Sequence, residues 1–306
     1  MQIAKIFPRL HLNFINNQDQ YLYIFIHINK CAGSTIGSHI SQTYHPDQYL
    51  QLYAKEVLAH QQSNHGDRYE FNHYFRHEGL RIRKQWVADL IESIPAKKKK
   101  SIRYLYGHLT YYGIHDLFDR EPRYFIFLRH PVSRTLSHYN YLVSKRPDRL
   151  KYFKIMEPKD NRILPFEEWL TMDIPPASNH MSWFLSRRIE GDWMSDYHSH
   201  LATRGDLENA EELLSRMYFV GLTETKYDLD FIYYKLKIKR ILQNQNVSKS
   251  QHIFPLDPEI LKNLILSRNK LDQELYDHAI CLRKAKIATI KDYEKSSSYL
   301  SSLPGL

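Results

Sequence analysis

Four short apolar runs stand out against a chain that is otherwise mixed in polarity. Residues 21–28, YLYIFIHI, are aromatic or β-branched almost throughout and are apolar on both faces. Such a run suits a central strand of a parallel sheet covered on both sides. SIRYLYGHLT (101–110) predicts a second strand ending at Gly107-His108, RYFIFLRH (123–130) a third, and YFVGL (218–222) a short fourth. Helical spacing fills the intervals. A helix is expected from Ser34 or Thr35, either of which suits a cap, to about Tyr44. Others are expected over 81–94, from Pro131 toward Pro147, over 165–172, 177–188 and 206–217, from Tyr227 to about Gln243, and from Pro258 to Tyr293. Residues 45–100 are polar, rich in His and Tyr and weakly patterned, which predicts a long insertion. The tail, 295–306, is low in complexity and is expected to be disordered. Strand alternating with helix predicts an α/β fold with a parallel sheet, here as one domain over 1–306.

Composition narrows the partners more than the fold. The chain has 306 residues, 42% of them hydrophobic, enough for a sizeable core. Its net charge of +9 favours anionic partners without choosing among phosphates, acidic glycans, nucleic acids and membrane surfaces. The run Lys97–Lys100 is expected to be a solvated turn rather than an anion-binding patch. Two cysteines, Cys31 and Cys281, cannot make a disulfide scaffold. The first residues lack an unbroken apolar core and a small-residue cleavage site, and no run of about 18 apolar residues occurs. A cytoplasmic protein without a transmembrane segment is therefore expected, and the sequon Asn246-Val247-Ser248 is expected to be chance.

The chemistry concentrates at two strand ends. A strand that enters a helix through small residues makes an anion site, because loop amides and the first helical N–H groups point the same way with the helix dipole behind them. The Walker A order is Gly-x-x-x-x-Gly-Lys-Ser/Thr. Here it is Lys30-Cys31-Ala32-Gly33-Ser34-Thr35, with the lysine ahead of the glycine and the opening glycine missing. That speaks against an NTP loop, as does the lack of an obvious Mg²⁺-binding aspartate at a later strand end.

The run FIHINKCAGST resembles the 5′-phosphosulfate loop of sulfotransferases, especially the carbohydrate type that includes the heparan sulfate 2-O- and 6-O-sulfotransferases. It departs from that pattern at Asn29, Cys31 and Ala32. FIFLRHPVSRTLSHYNY (125–141) resembles the family's 3′-phosphate motif, Arg-Asp-Pro-x-x-Arg-x-x-Ser, with His130 in place of the aspartate. YGHLTYYGI (106–114) resembles the segment whose histidine is a proposed catalytic base. SNHMSWFLS (178–186), FVGLTETKYDLDFIYYKL (219–236) and LDQELYDHA (271–279) resemble further family segments. The resemblance implies a P-loop-like three-layer fold and a donor, 3′-phosphoadenosine 5′-phosphosulfate (PAPS), that needs no metal. It implies a carbohydrate hydroxyl as acceptor and 3′,5′-ADP as product. It implies donor binding by Lys30, Cys31, Ala32, Gly33, Ser34, Thr35, Arg129 and Ser137. Lys30 and His108 would be catalytic, the latter as general base. His27 is expected to pack in the core, and Cys31 is not expected to be a nucleophile. A P-loop kinase and a non-catalytic basic protein binding nucleic acid or membrane are the competing classes. The second accounts for the charge but not for Lys30, Gly33, Arg129 and Ser137 falling at paired strand ends.

Overall fold

A computed structural model of the chain describes residues 20–65, 82–189, 200–238 and 256–289. Its centre is a five-stranded, all-parallel sheet in the order β2-β3-β1-β4-β5, formed by β1 (Tyr21–Ile26), β2 (Tyr49–Gln51), β3 (Tyr104–Gly107), β4 (Glu121–Leu128) and β5 (Phe219–Leu222). Helices cover both faces. Along the chain they are α1 (Gly33–Thr43), α2 (Ala54–His65), α3 (Lys84–Glu92), α4 (Ala96–Ser101), α5 (Pro131–Lys145), α6 (Phe166–Leu170), α7 (His180–Ser186), α8 (Arg204–Ser215), α9 (Lys226–Leu236), α10 (Pro258–Arg268) and α11 (Lys270–Thr289).

Strand side chains alternate between faces, and here the two faces differ in kind. Leu22, Ile24 and Ile26 of β1, Leu105 of β3 and Ile126 and Leu128 of β4 join a largely aliphatic core with residues of α7, α8 and α11. Tyr23 and Phe25, Tyr104 and Tyr106, and Phe125 and Phe127 point the other way, into an aromatic core closed by residues of α1 and α9. Phe25 and Phe125 stack across β1 and β4 with centroids 4.9 Å apart. A third cluster lies between α5, α6 and α10 around the fully buried Trp169.

Residues 45–100 are not simply an insertion. They carry β2, which pairs with β3 through Tyr49–Gln51 and extends the sheet at its edge. The strand was hidden because it is three residues long and only half buried. Lys97–Lys100 lie not in a turn but on α4, largely exposed, as a solvated run should be. The single helix expected from Pro258 is two, separated at Asn269. The sequon, the tail and the region beyond Ile238 toward Gln243 fall outside the described residues. None of the described helices is long and apolar enough to cross a membrane.

Two helix starts are locked to each other. Asp272, at the start of α11, accepts hydrogen bonds from the amides of Met181 (2.9 Å) and Ser182 (2.8 Å) in α7. In return the side-chain oxygen of Asn179 accepts from Leu271 (2.9 Å) and Asp272 (3.2 Å). Each helix thus satisfies the other's orphan donors. The segments 178–186 and 271–279, far apart in sequence, form one brace.

Candidate active site

The strand order puts the carboxyl ends of β3, β1 and β4 side by side, with connections from β1 leaving toward β2 and from β3 crossing to β4. Ligands of open α/β sheets sit at such a switch point. Every residue singled out at a strand end in the sequence lies on this rim.

After Ile26 the chain turns through Lys30 (φ 70°) and Ala32 (φ 61°), both left-handed. For residues with a Cβ this costs about 1–2 kcal/mol each, and such strain clusters at ligand-binding turns. It curls the backbone around Cys31, the kind of turn in which successive amides form an anion-binding concavity. The helix cap is Ala32, not Ser34 or Thr35, and no side chain completes it. Ser34 and Thr35 occupy the second and third positions of α1, Ser34 exposed and Thr35 half-buried. Thr35 and Ile36 donate to the Ala32 carbonyl at 3.0 and 3.1 Å, and Cys31 to that of Ile28 at 3.2 Å; the Gly33 and Ser34 amides precede the first intrahelical acceptor, so this terminus suits a phosphate. Gly33 opens α1 with no room to spare. A Cβ there would lie 1.7–2.3 Å from Cδ2, Nε2 and Cε1 of His27.

Lys30 is half-buried, its ammonium 4.1 Å from the centre of the Tyr141 ring. Burial, and then the neighbouring Arg129 guanidinium, push its pKa down to about 8. Arg129, at the end of β4, donates to the Lys30 carbonyl at 3.3 Å. Ser137 lies on α5 one turn before Tyr141, so it shares the helix face that approaches Lys30. Cys31 is fully buried, and burial pushes its thiol up to about 12, which removes it as a nucleophile.

His108 follows Gly107, whose φ of 145° and 2.2 Å hypothetical Cβ contact with the Leu52 carbonyl admit only glycine. The His108 Nδ1 lies 2.8 Å from the His27 carbonyl. A carbonyl only accepts, so Nδ1 carries the proton and Nε2 keeps the lone pair. Its own carbonyl accepts from Arg188 at 2.8 Å. Burial, reinforced by Arg188, Arg149 and Lys30, pushes the imidazole down to about 4 despite the favourable bond to His27. The ring is therefore neutral at pH 7 and equipped to accept a proton. Arg134, in the second arginine position of the 3′-phosphate motif, is instead fully buried and donates to Pro176 O (2.8 Å) and His138 Nδ1 (3.3 Å). Among the described residues no group of three or more His, Cys, Asp or Glu is placed to hold a metal ion.

Three contributors were not singled out from the sequence. Glu224 accepts from the amide of His130 (3.0 Å) and from the Tyr276 hydroxyl (3.0 Å), tying the β4–α5 turn to α11. Its signal was the resembling segment 219–236, which named no role for it. Arg188 gave no signal. Tyr53 stands immediately after β2, its hydroxyl 3.2 Å from His27 Nδ1. Nothing in the weak pattern of 45–100 marks it.

His27, His108, His138 and His180 are all held below the ordinary 6.5, chiefly by burial. A folded-state pKa below the unfolded one means that the unfolded chain takes up protons first. Stability is then greatest above about pH 6.5 and falls with acidification, by up to about 1.4 kcal/mol per pH unit for each histidine. Asp272 and Glu56, whose carboxyls burial pushes up, oppose this with two groups against four. Urea unfolding should show a lower unfolding free energy at pH 5.5 than at pH 7.5; equal values would contradict the burial of neutral imidazoles.

A family model described as the sulfotransferase family matches residues 14–279. No curated protein matches the chain. The matched stretch takes in all five strands, the turn after β1, Arg129, Ser137, His108 and both halves of the helix brace. The chain belongs to the sulfotransferase family.

Proposed function

We propose that this sulfotransferase takes its sulfuryl group from PAPS, delivers it to a saccharide hydroxyl and releases 3′,5′-ADP. The observation that supports this most is the meeting of two cationic strand ends, where Arg129 of the β4 turn holds the backbone of Lys30 in the β1 turn. One donor molecule with a phosphate at each end of its ribose would engage both. The strained turn, the amides at the start of α1 and the tight fit at Gly33 would cradle the 5′-phosphosulfate, with Lys30, Cys31, Ala32, Gly33, Ser34 and Thr35 along it. Arg129 offers a planar fork to the 3′-phosphate, and Ser137 a hydroxyl from the same side.

PAPS supplies a sulfuryl group on a good leaving phosphate. Lys30 balances the charge that builds on the bridging oxygen. The loop amides and Arg129 hold the donor in line with the acceptor. His108, through Nε2, takes the proton of the acceptor hydroxyl. The saccharide acceptor follows from the resemblance of residues 106–114 to a carbohydrate-sulfating segment. Labelled PAPS offered with panels of saccharides, lipids and phenols tests the reading. Label should pass to a saccharide, and transfer confined to phenols or lipids would overturn the acceptor class.

A further inference from the structure

His27 was expected to be an ordinary core residue, and it is buried, but its surroundings join the two halves of the site. One face of its ring stacks on Phe25 at 5.6 Å and 14°. His108 stacks on it at 4.1 Å and 30°. Its Nδ1 meets the Tyr53 hydroxyl, and the Tyr53 ring stands nearly perpendicular to both imidazoles, at 88° and 78°. The opposite edge, Cδ2, Nε2 and Cε1, presses on Gly33 so closely that the three atoms nearest a Cβ there all belong to this ring. The main chain adds a second link, since the His27 carbonyl fixes the Nδ1 proton of His108.

We propose that His27 is a positioning residue that couples the donor loop to the base, serving as the floor beneath Gly33 and as the plate against which His108 is held. The part concerning His108 rests on the reading of that residue as general base; the part concerning Gly33 does not. Physically, one rigid ring fixes the distance from the phosphosulfate cradle to the proton acceptor. Positioning of this kind is worth most when both partners move little. The stack also keeps the base neutral. The His27 ring covers one face of the base at 4.1 Å, and burial is the chief cause that holds His108 down, with Arg188 after α7, Arg149 after α5 and Lys30 from the loop adding to it. Tyr53, from the start of α2, supplies the neutral wall.

Two measurements test the coupling, and neither needs the acceptor. In the first, 3′,5′-ADP binding is followed by calorimetry. Gly33→Ala should weaken it by about 5- to 150-fold, the fold-change that results when the usual cost of overpacking falls on the ligand-holding form of the loop. Combining Gly33→Ala with His27→Ala should recover binding to within about threefold of His27→Ala alone, because the ring is what the methyl strikes. A double variant as weak as, or weaker than, Gly33→Ala would overturn the loop half. In the second, the His108 imidazole is titrated by NMR, its signal assigned by loss in His108→Ala. Removing the plate should move its pKa from about 4 toward 6.5, by at least about one unit, tenfold in proton affinity. An unmoved titration would overturn the base half. His27→Asn, which keeps a polar partner for Tyr53 but removes the ring, should repeat both results should His27→Ala fold poorly. Normal sulfuryl transfer by His108→Ala would instead remove the base reading and leave the loop half to the binding data.

Discussion

Replacing His108 with alanine should lower turnover by about 10²–10⁴-fold, the usual contribution of a general base, while 3′,5′-ADP binds nearly as before. In the proposed reading the residue serves the acceptor rather than the nucleotide, and its Nδ1 proton is committed to the His27 carbonyl. Only Nε2 is left for chemistry. The pH profile adds a sharper requirement. An ordinary histidine base would lose half its activity near pH 6.5. Here burial and three cations hold the imidazole near 4, so it stays unprotonated, and active, as pH falls from 8 to about 5. A base is lost only as pH falls through its own pKa, which places that limb near pH 4 rather than 6.5. Turnover that halves near pH 6.5 would point to a different base. So would a stable, nucleotide-binding His108→Ala protein with near-normal turnover. If His108 were only a packing residue, the variant would melt earlier without a separate defect in chemistry.

The second large effect is expected at Lys30. Lys30→Ala should reduce kcat by about 10²–10³-fold, the cost of removing a group aimed at charge that develops in the transition state, and should weaken 3′,5′-ADP binding much less. Burial and Arg129 push the Lys30 ammonium down to about 8. A lysine is charged below its pKa, so kcat/KM for the donor should fall as pH rises above about 8. Lys30→Arg, whose guanidinium stays charged, should lack that limb. Normal kcat with only a raised donor KM in Lys30→Ala would make the residue a binding group rather than a catalytic one.

The parts of this structure that could be read in advance are those written in local pattern. β1, β3, β4 and β5 were legible because strands buried on both faces appear as apolar runs, and the parallel sheet followed from their alternation with helices. The turn proposed to hold the donor was picked out by the order Lys30, Gly33, Ser34, Thr35, with Arg129 and Ser137 at a second strand end. β2 was not legible, since an edge strand of three half-buried residues leaves almost no periodic trace. The capping role given to Ser34 or Thr35 failed because the chain turns left-handed at Ala32, a strain that an alanine does not announce. The contacts of His27 beyond its expected place in the core, and those of Tyr53, were not legible for another reason. Their contacts depend on strand register, Ile26 beside Gly107 in one pair and Gln51 beside Tyr106 in the next, and register is a property of the assembled sheet.

The central claim is that the turn after β1 and the turn after β4 hold the two phosphate ends of one donor. Calorimetric titration with 3′,5′-ADP and with 5′-AMP tests it most directly, because the two nucleotides differ only in the group assigned to Arg129. The wild-type protein should bind 3′,5′-ADP more tightly by about 10- to 150-fold, the equivalent of about 1.5–3 kcal/mol for a charge-assisted contact, and Arg129→Ala should erase most of that preference. Equal affinity of the wild-type protein for the two nucleotides would contradict the account.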